Sequence, residues 1–117
     1  MQLIEHAFGD KKVAELTANE TLINDLQDAI DLMADLYYQG FDHIILKKEQ
    51  LNPDFFELKT KLAGDILQKF SNYRMQLSII IPELKTESNA LNDFIRESNR
   101  LGHINFVQSI EEISQKS

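Results

Sequence analysis

The chain has 117 residues, 43% of them hydrophobic, no cysteine, and a formal net charge of -7. One domain with its own core follows, without a disulfide framework, thiolate nucleophile or cysteine metal site. The acidity opposes nonspecific nucleic-acid binding, which rests on neutralising phosphates, and docking on an anionic membrane surface, so neither partner is expected.

The N-terminus, MQLIEHAFGDKK, lacks the basic start and long apolar stretch of a signal peptide. No apolar run reaches the ~18 residues of a membrane helix, and a cytoplasmic location is the default expectation. Residues 2–17 read as an antiparallel hairpin, with Leu3, Ile4 and Phe8 apolar in its first strand and Val13, Ala14 and Leu16 in its second. Gly9-Asp10 supplies the tight turn. Asn24 is the expected N-cap of a first helix, with Gln27 completing a capping box. Leu26, Ala29, Ile30, Met33 and Leu36 or Tyr37 form its buried stripe. Asp25, Asp28, Asp31 and Asp35 fall on or near its solvent side, and Gly40 ends it.

His43 to Leu46 is the third strand, followed by a polar loop from Lys47 to Asn52. Asn52-Pro53-Asp54 opens a helical turn whose Phe55, Phe56 and Leu58 are spaced to pack on the sheet. The second helix either starts there or restarts at Thr60. It carries Leu62, Ile66, Leu67 and Phe70 at helical spacing and ends near Asn72. Its Ala63-Gly64 pair is expected to permit close packing on a strand. Leu77 to Ile81, closed by Pro82, reads as a strand buried on both faces. After the polar ELKTES segment, Ser88 or Asn89 caps a third helix with Leu91, Phe94, Ile95 and Leu101 on its stripe, stopped by Gly102. Ile104 to Val107 is the fifth strand, and Ser109 with Glu112 forms a capping box for a last short helix. The expected order is β-β-α-β-α-β-α-β-α over residues 1–117, an α/β domain with a five-stranded, mostly parallel sheet and an N-terminal antiparallel strand.

That order resembles the STAS fold of anti-sigma-factor antagonists and of the cytoplasmic parts of sulfate transporters. The strings DLMADL (31–36), DFFELKTKLAGDILQKFSNYR (54–74) and DFIRESNRLGHINFV (93–107) resemble, more closely, a bacterial family described as a domain of unknown function. The likeness runs from about residue 20 to residue 113. It implies a STAS-like fold and brings no activity or cofactor. In STAS antagonists a switch serine opens the helix after the third strand; here the nearest hydroxyl is Thr60, with Lys61 where that family has glycine. The resemblance makes Thr60 a candidate phosphoswitch, and the plain alternative is that it caps the helix.

His6, His43 and His103 lack metal-ligand spacing and read as structural or solvated; no metal is expected. His43 and His103 both fall at strand starts, near one end of the sheet. Two helix-end strings are rich in directed hydrogen-bonding groups: Ser71-Asn72-Tyr73-Arg74 and Arg96-Glu97-Ser98-Asn99. They form either a polar pocket, in which Arg74 or Arg96 binds an anion and Glu97 orients it, or a structural network at two helix C-termini. No nucleophile elbow, P-loop or dinucleotide fingerprint is present in the sequence. The leading expectation is a non-enzymatic regulatory or protein-interaction module with a basic protein partner. The alternatives are an anion-binding protein or enzyme using the Arg74, Arg96 and Glu97 pocket, and a homodimer.

Overall fold

Isoleucine-rich runs at the centre of the chain make the sheet, and the hairpin before them makes its edge. The computed structural model describes residues 1–115. Gln2–Phe8 (β1) and Lys11–Thr17 (β2) pair antiparallel, turning at Gly9, whose φ of +67° favours a residue without a Cβ. His43–Lys47 (β3), Gln76–Ile80 (β4) and Ile104–Val107 (β5) follow in parallel, and the sheet order is β1-β2-β3-β4-β5. His43 lies beside Gln76 and Leu77 beside Ile104 in this register. The single α/β domain with one antiparallel N-terminal strand is therefore the architecture that the apolar runs specify.

The strand order decides where the helices go. From β2 to β5 each parallel strand is added on the same side of the one before. A right-handed crossover at every step puts every crossover helix on one face. Leu26–Tyr38 (α1), Leu62–Asn72 (α2) and Asn89–Leu101 (α3) all lie there. Met33, Leu36, Ile66, Phe70, Leu91 and Ile95 from these helices join Ala14, Leu16, Ile44, Leu46, Leu77, Ile79, Ile104 and Phe106 from the strands in the main core. The alternate strand residues point the other way. On that second face Val13, Ile45 and Val107 form a small separate core with Ile113 of the short helix Ile110–Gln115 (α4). One short helix does not cover five strands, so this face keeps open ground.

Local details settle or correct the sequence reading at three places. The α1 N-cap is Asp25, whose carboxylate accepts from the Asp28 N–H at 2.8 Å, while Asp28 accepts from the Asn24 N–H at 2.9 Å. The box sits one residue later than expected because Leu22 and Ile23 are held extended: both N–H groups donate to the Gln50 carbonyl, and Ile23 bridges Leu51. The 47–52 loop is thus an anchored turn, with buried Gln50 donating to the Leu16 carbonyl and accepting from the Lys47 N–H.

At the start of α2 the second of the two expected alternatives holds, with the helix beginning two residues beyond Thr60. Short 3-10 turns at Pro53–Phe56 and Leu58–Thr60 precede it, and Lys61 then takes a left-handed φ of 66° before the helix begins at Leu62. The helix therefore restarts after a break. Third, Ala63 is buried as the close-packing residue, but Gly64 is exposed and a Cβ on it would meet nothing within 4 Å. No described helix is long and apolar enough to cross a membrane.

Candidate functional site

The two polar strings do not converge. Arg96 pairs with Asp93 at 2.6 Å and Glu97 with Arg100, all on the exposed side of α3. The Arg100 guanidinium holds the Glu97 carboxyl below its ordinary range. Asn99 turns inward to the backbone of Phe106. Asn72, Tyr73 and Arg74 instead line a groove against α1, well separated in lining from the Arg96 surface. Thr60 Oγ1 lies 2.7 Å from the Asp54 carbonyl and 2.8 Å from that of Glu57, and it accepts from the Leu62 N–H at 3.3 Å. Its hydroxyl thereby ties the turn to the first residue of α2. A phosphate there would face two carbonyl oxygens unless the turn opened.

A groove with a largely apolar lining runs between α1 and the end of α2. It encloses about 470 Å³, with Ile30, Met33, Ala34 and Met75 among its apolar lining. Tyr37, Tyr38 and Tyr73 stand around it and are 65%, 92% and 58% exposed. The chain produces this locally. Tyr37 and Tyr38 end α1 just before Gly40 breaks it, and Tyr73 follows the last turn of α2. Arg74 then takes a left-handed φ of 57° that reverses the chain into β4. Two adjacent helices thus end with their aromatic residues side by side.

The second concavity lies on the other face of the sheet. His43 and Ser78 project from neighbouring strands, β3 and β4, and His43 Nε2 is 2.7 Å from Ser78 Oγ. The side chains are 6% and 1% exposed. With Lys11, Gln76, Asn105, Val107 and Ile113 they line a cavity of about 200 Å³. Burial, with the Lys11 charge adding to it, pushes the His43 imidazole down from 6.5 to about 4, against the opposite pull of Asp42. The ring is neutral at physiological pH. A serine and histidine at this distance share the geometry of a nucleophile and its base, but an imidazole titrating near 4 is a weak base for that work. As a neutral hydrogen-bonding pair they are well suited to hold a ligand.

Sequence reasoning placed His43 among the structural or solvated histidines, with His103 near the same end of the sheet, and both do fall at strand starts. The structure sets β4 between them: Leu77 donates to the His103 carbonyl from the side of β4 away from β3. Ser78 was not singled out, since 35 residues separate it from His43. A signal was nonetheless present. His43, Ser78 and Asn105 are the polar interruptions of three otherwise apolar runs, and the parallel register brings all three to one face. No group of three or more His, Asp or Glu among the described residues is placed to hold a metal ion.

A family model matches residues 8–116. The chain belongs to DUF4180, a domain of unknown function. The resemblance of residues 31–36, 54–74 and 93–107 to a family of unknown function is carried this far, and the DUF4180 match extends beyond both ends of the stretch it covered. Searches of curated proteins and of solved structures find no match to this chain. Both concavities lie within the DUF4180 region.

Proposed function

We propose that this DUF4180 domain is a non-enzymatic protein-interaction module whose docking surface is the tyrosine-rimmed groove between α1 and α2. The observation that carries this reading is the exposure of Tyr37, Tyr38 and Tyr73 around an apolar floor containing Met33 and Met75. Tyrosine presents a large rigid contact area with little side-chain entropy to lose, and buried tyrosines dominate the energetics of many interfaces. Methionine adapts its shape to an incoming group. The occupant is an apolar or aromatic side chain of a basic protein. Arg74, the charged member of the lining, disfavours a cation inside the groove. The partner's basic residues then fall outside it, toward exposed Asp31 and Asp35 on α1, and the net charge of -7 steers their approach. The resemblance of the element order to STAS regulatory domains supports a regulatory use of such contacts.

The test is site-specific photo-cross-linking in the source cell, with the reactive group at Tyr38 and, as reference, at Asp93 on α3. One basic protein is expected to be captured from Tyr38 and not from Asp93. The isolated complex is expected to weaken about tenfold or more with Tyr73→Ala and with added salt. Equal capture from both positions, or a captured protein whose binding ignores Tyr73→Ala and Asp31→Asn/Asp35→Asn, rejects the reading.

A further inference from the structure

The cavity under α4, on the face of the sheet opposite the proposed docking groove, contains binding chemistry that the fold does not use. We propose that it binds a small organic carboxylate, with the acid group between Lys11 and the His43–Ser78 pair and the carbon chain against Val13, Val107 and Ile113.

The hydrogen-bond count of the buried pair is the starting point. A neutral imidazole has one N–H and one acceptor nitrogen, and a serine hydroxyl has one O–H. If Ser78 donates to His43 Nε2, the histidine proton sits on Nδ1 and is left over. If Nε2 donates to Ser78 Oγ, the serine proton is left over. Either tautomer leaves one donor unspent, and among the described residues neither side chain has a second hydrogen-bond partner. Both side chains line the cavity, where the unspent donor can meet an acceptor. An acceptor brought by a ligand would complete them.

Charge selects the kind of acceptor. Lys11, the charged residue of the lining, makes no ion pair with a described residue, whereas neighbouring Lys12 is 3.9 Å from Glu5. Gln76 adds a side-chain amide, while Asn105 donates one N–H to the Gly102 carbonyl and keeps the second. The remaining walls, Val13, Val107 and Ile113, are the apolar residues of the second core. A cation and an unspent donor beside hydrocarbon match a carboxylate with a short chain, and a phosphate would leave the valine and isoleucine walls unsatisfied. The volume of about 200 Å³ sets the size. It falls below the ~300–1,000 Å³ of pockets for drug-sized ligands, so the ligand is small. Asp42 is exposed and outside the lining, and its pull on His43 is weaker than that of Lys11.

Sodium butyrate titrated into the isotope-labelled full chain is the direct test, with sodium chloride at matched ionic strength as reference. Proton–nitrogen NMR is expected to show saturable shifts at the backbone amides of His43, Ser78 and Asn105 and at the His43 ring. Lys11→Gln, an exposed change that leaves the core intact, is expected to weaken binding about tenfold, as loss of a charge-assisted contact does. Ser78→Ala is expected to weaken it as well. Shifts that never saturate overturn the proposal, as does unchanged affinity in both variants. Equal saturable shifts with sodium phosphate overturn the assignment to a carboxylate. Because the readout is local to the second face, it is independent of whether the tyrosine groove takes a protein.

Discussion

Asn99 holds both backbone polar groups of Phe106, accepting from its N–H at 2.6 Å through Oδ1 and donating to its carbonyl at 3.2 Å through Nδ2. β5 ends the sheet and is bonded to β4 on one side only. In a parallel strand the N–H and C=O of one residue point to the same side, so Phe106 presents both to the open edge. The Asn99 amide supplies what a further strand would have supplied, and so blunts the edge. Asn99→Leu fills similar volume but leaves a donor and an acceptor unpaired beside a buried phenylalanine. The expected loss is about 2 kcal/mol in urea denaturation. A loss below about 0.5 kcal/mol would mean that water replaces the amide without cost.

His43 makes stability depend on pH. Its proton affinity is near 6.5 when the chain is unfolded and near 4 when folded. Between those values the unfolded chain binds more protons, so stability rises with pH. The contribution is complete above about 6.5 and is lost as pH falls toward about 4, to a total of about 3 kcal/mol at most. His43→Gln keeps a hydrogen-bonding group beside Ser78 but does not titrate. Unfolding free energies measured across this window should fall less steeply for the variant. Parallel curves would remove His43 as the cause.

The sheet was legible because its signals are local. The apolar residues of β2, the turn at Gly9 and the isoleucine runs of β3 and β4 each act over a few residues. The break before α2 was one of two open readings and could not be chosen, because the left-handed Lys61 has no compositional mark where a glycine would have had one. The cap of α1 was misplaced by one residue because Asn24 and Asp25 cap equally well. The choice is made by Ile23, which a contact with distant Leu51 keeps extended. The candidate sites followed the same rule. Asn72, Tyr73 and Arg74 were singled out for their density of polar groups, but the α1 residues that share their groove come from another part of the chain. The His43–Ser78 pair depends on strand register, which no local pattern encodes.

Gly64 can be improved. It lies within α2 on the exposed side, with open space where a Cβ would go and no positive φ to preserve. Glycine costs helix stability relative to alanine because the unfolded chain has more freedom to lose. Gly64→Ala should therefore raise stability by about 0.5–1 kcal/mol, seen as a higher Tm. A lower Tm would reject this account of Gly64.

Ser98 offers a sharper test of the core under α3. The residue is 1% exposed, and its Oγ has no hydrogen-bond partner among the described residues. The helix around it is otherwise conventional: the Gly102 N–H donates to the Ser98 carbonyl, so the backbone is satisfied while the hydroxyl is not. An unpaired hydroxyl in an apolar setting costs about 1–3 kcal/mol by mutational measures. Ser98→Ala removes that cost and substitutes a better helix former, leaving only a void of one oxygen. The expected gain is about 1 kcal/mol, with Tm rising by several degrees. Ser98→Val should lose stability instead, because it adds volume to a packed position and stiffens the helix side chain. If alanine lowers the Tm, a buried water satisfies the hydroxyl, and the interface between α3 and the sheet is wetter than its side-chain packing implies.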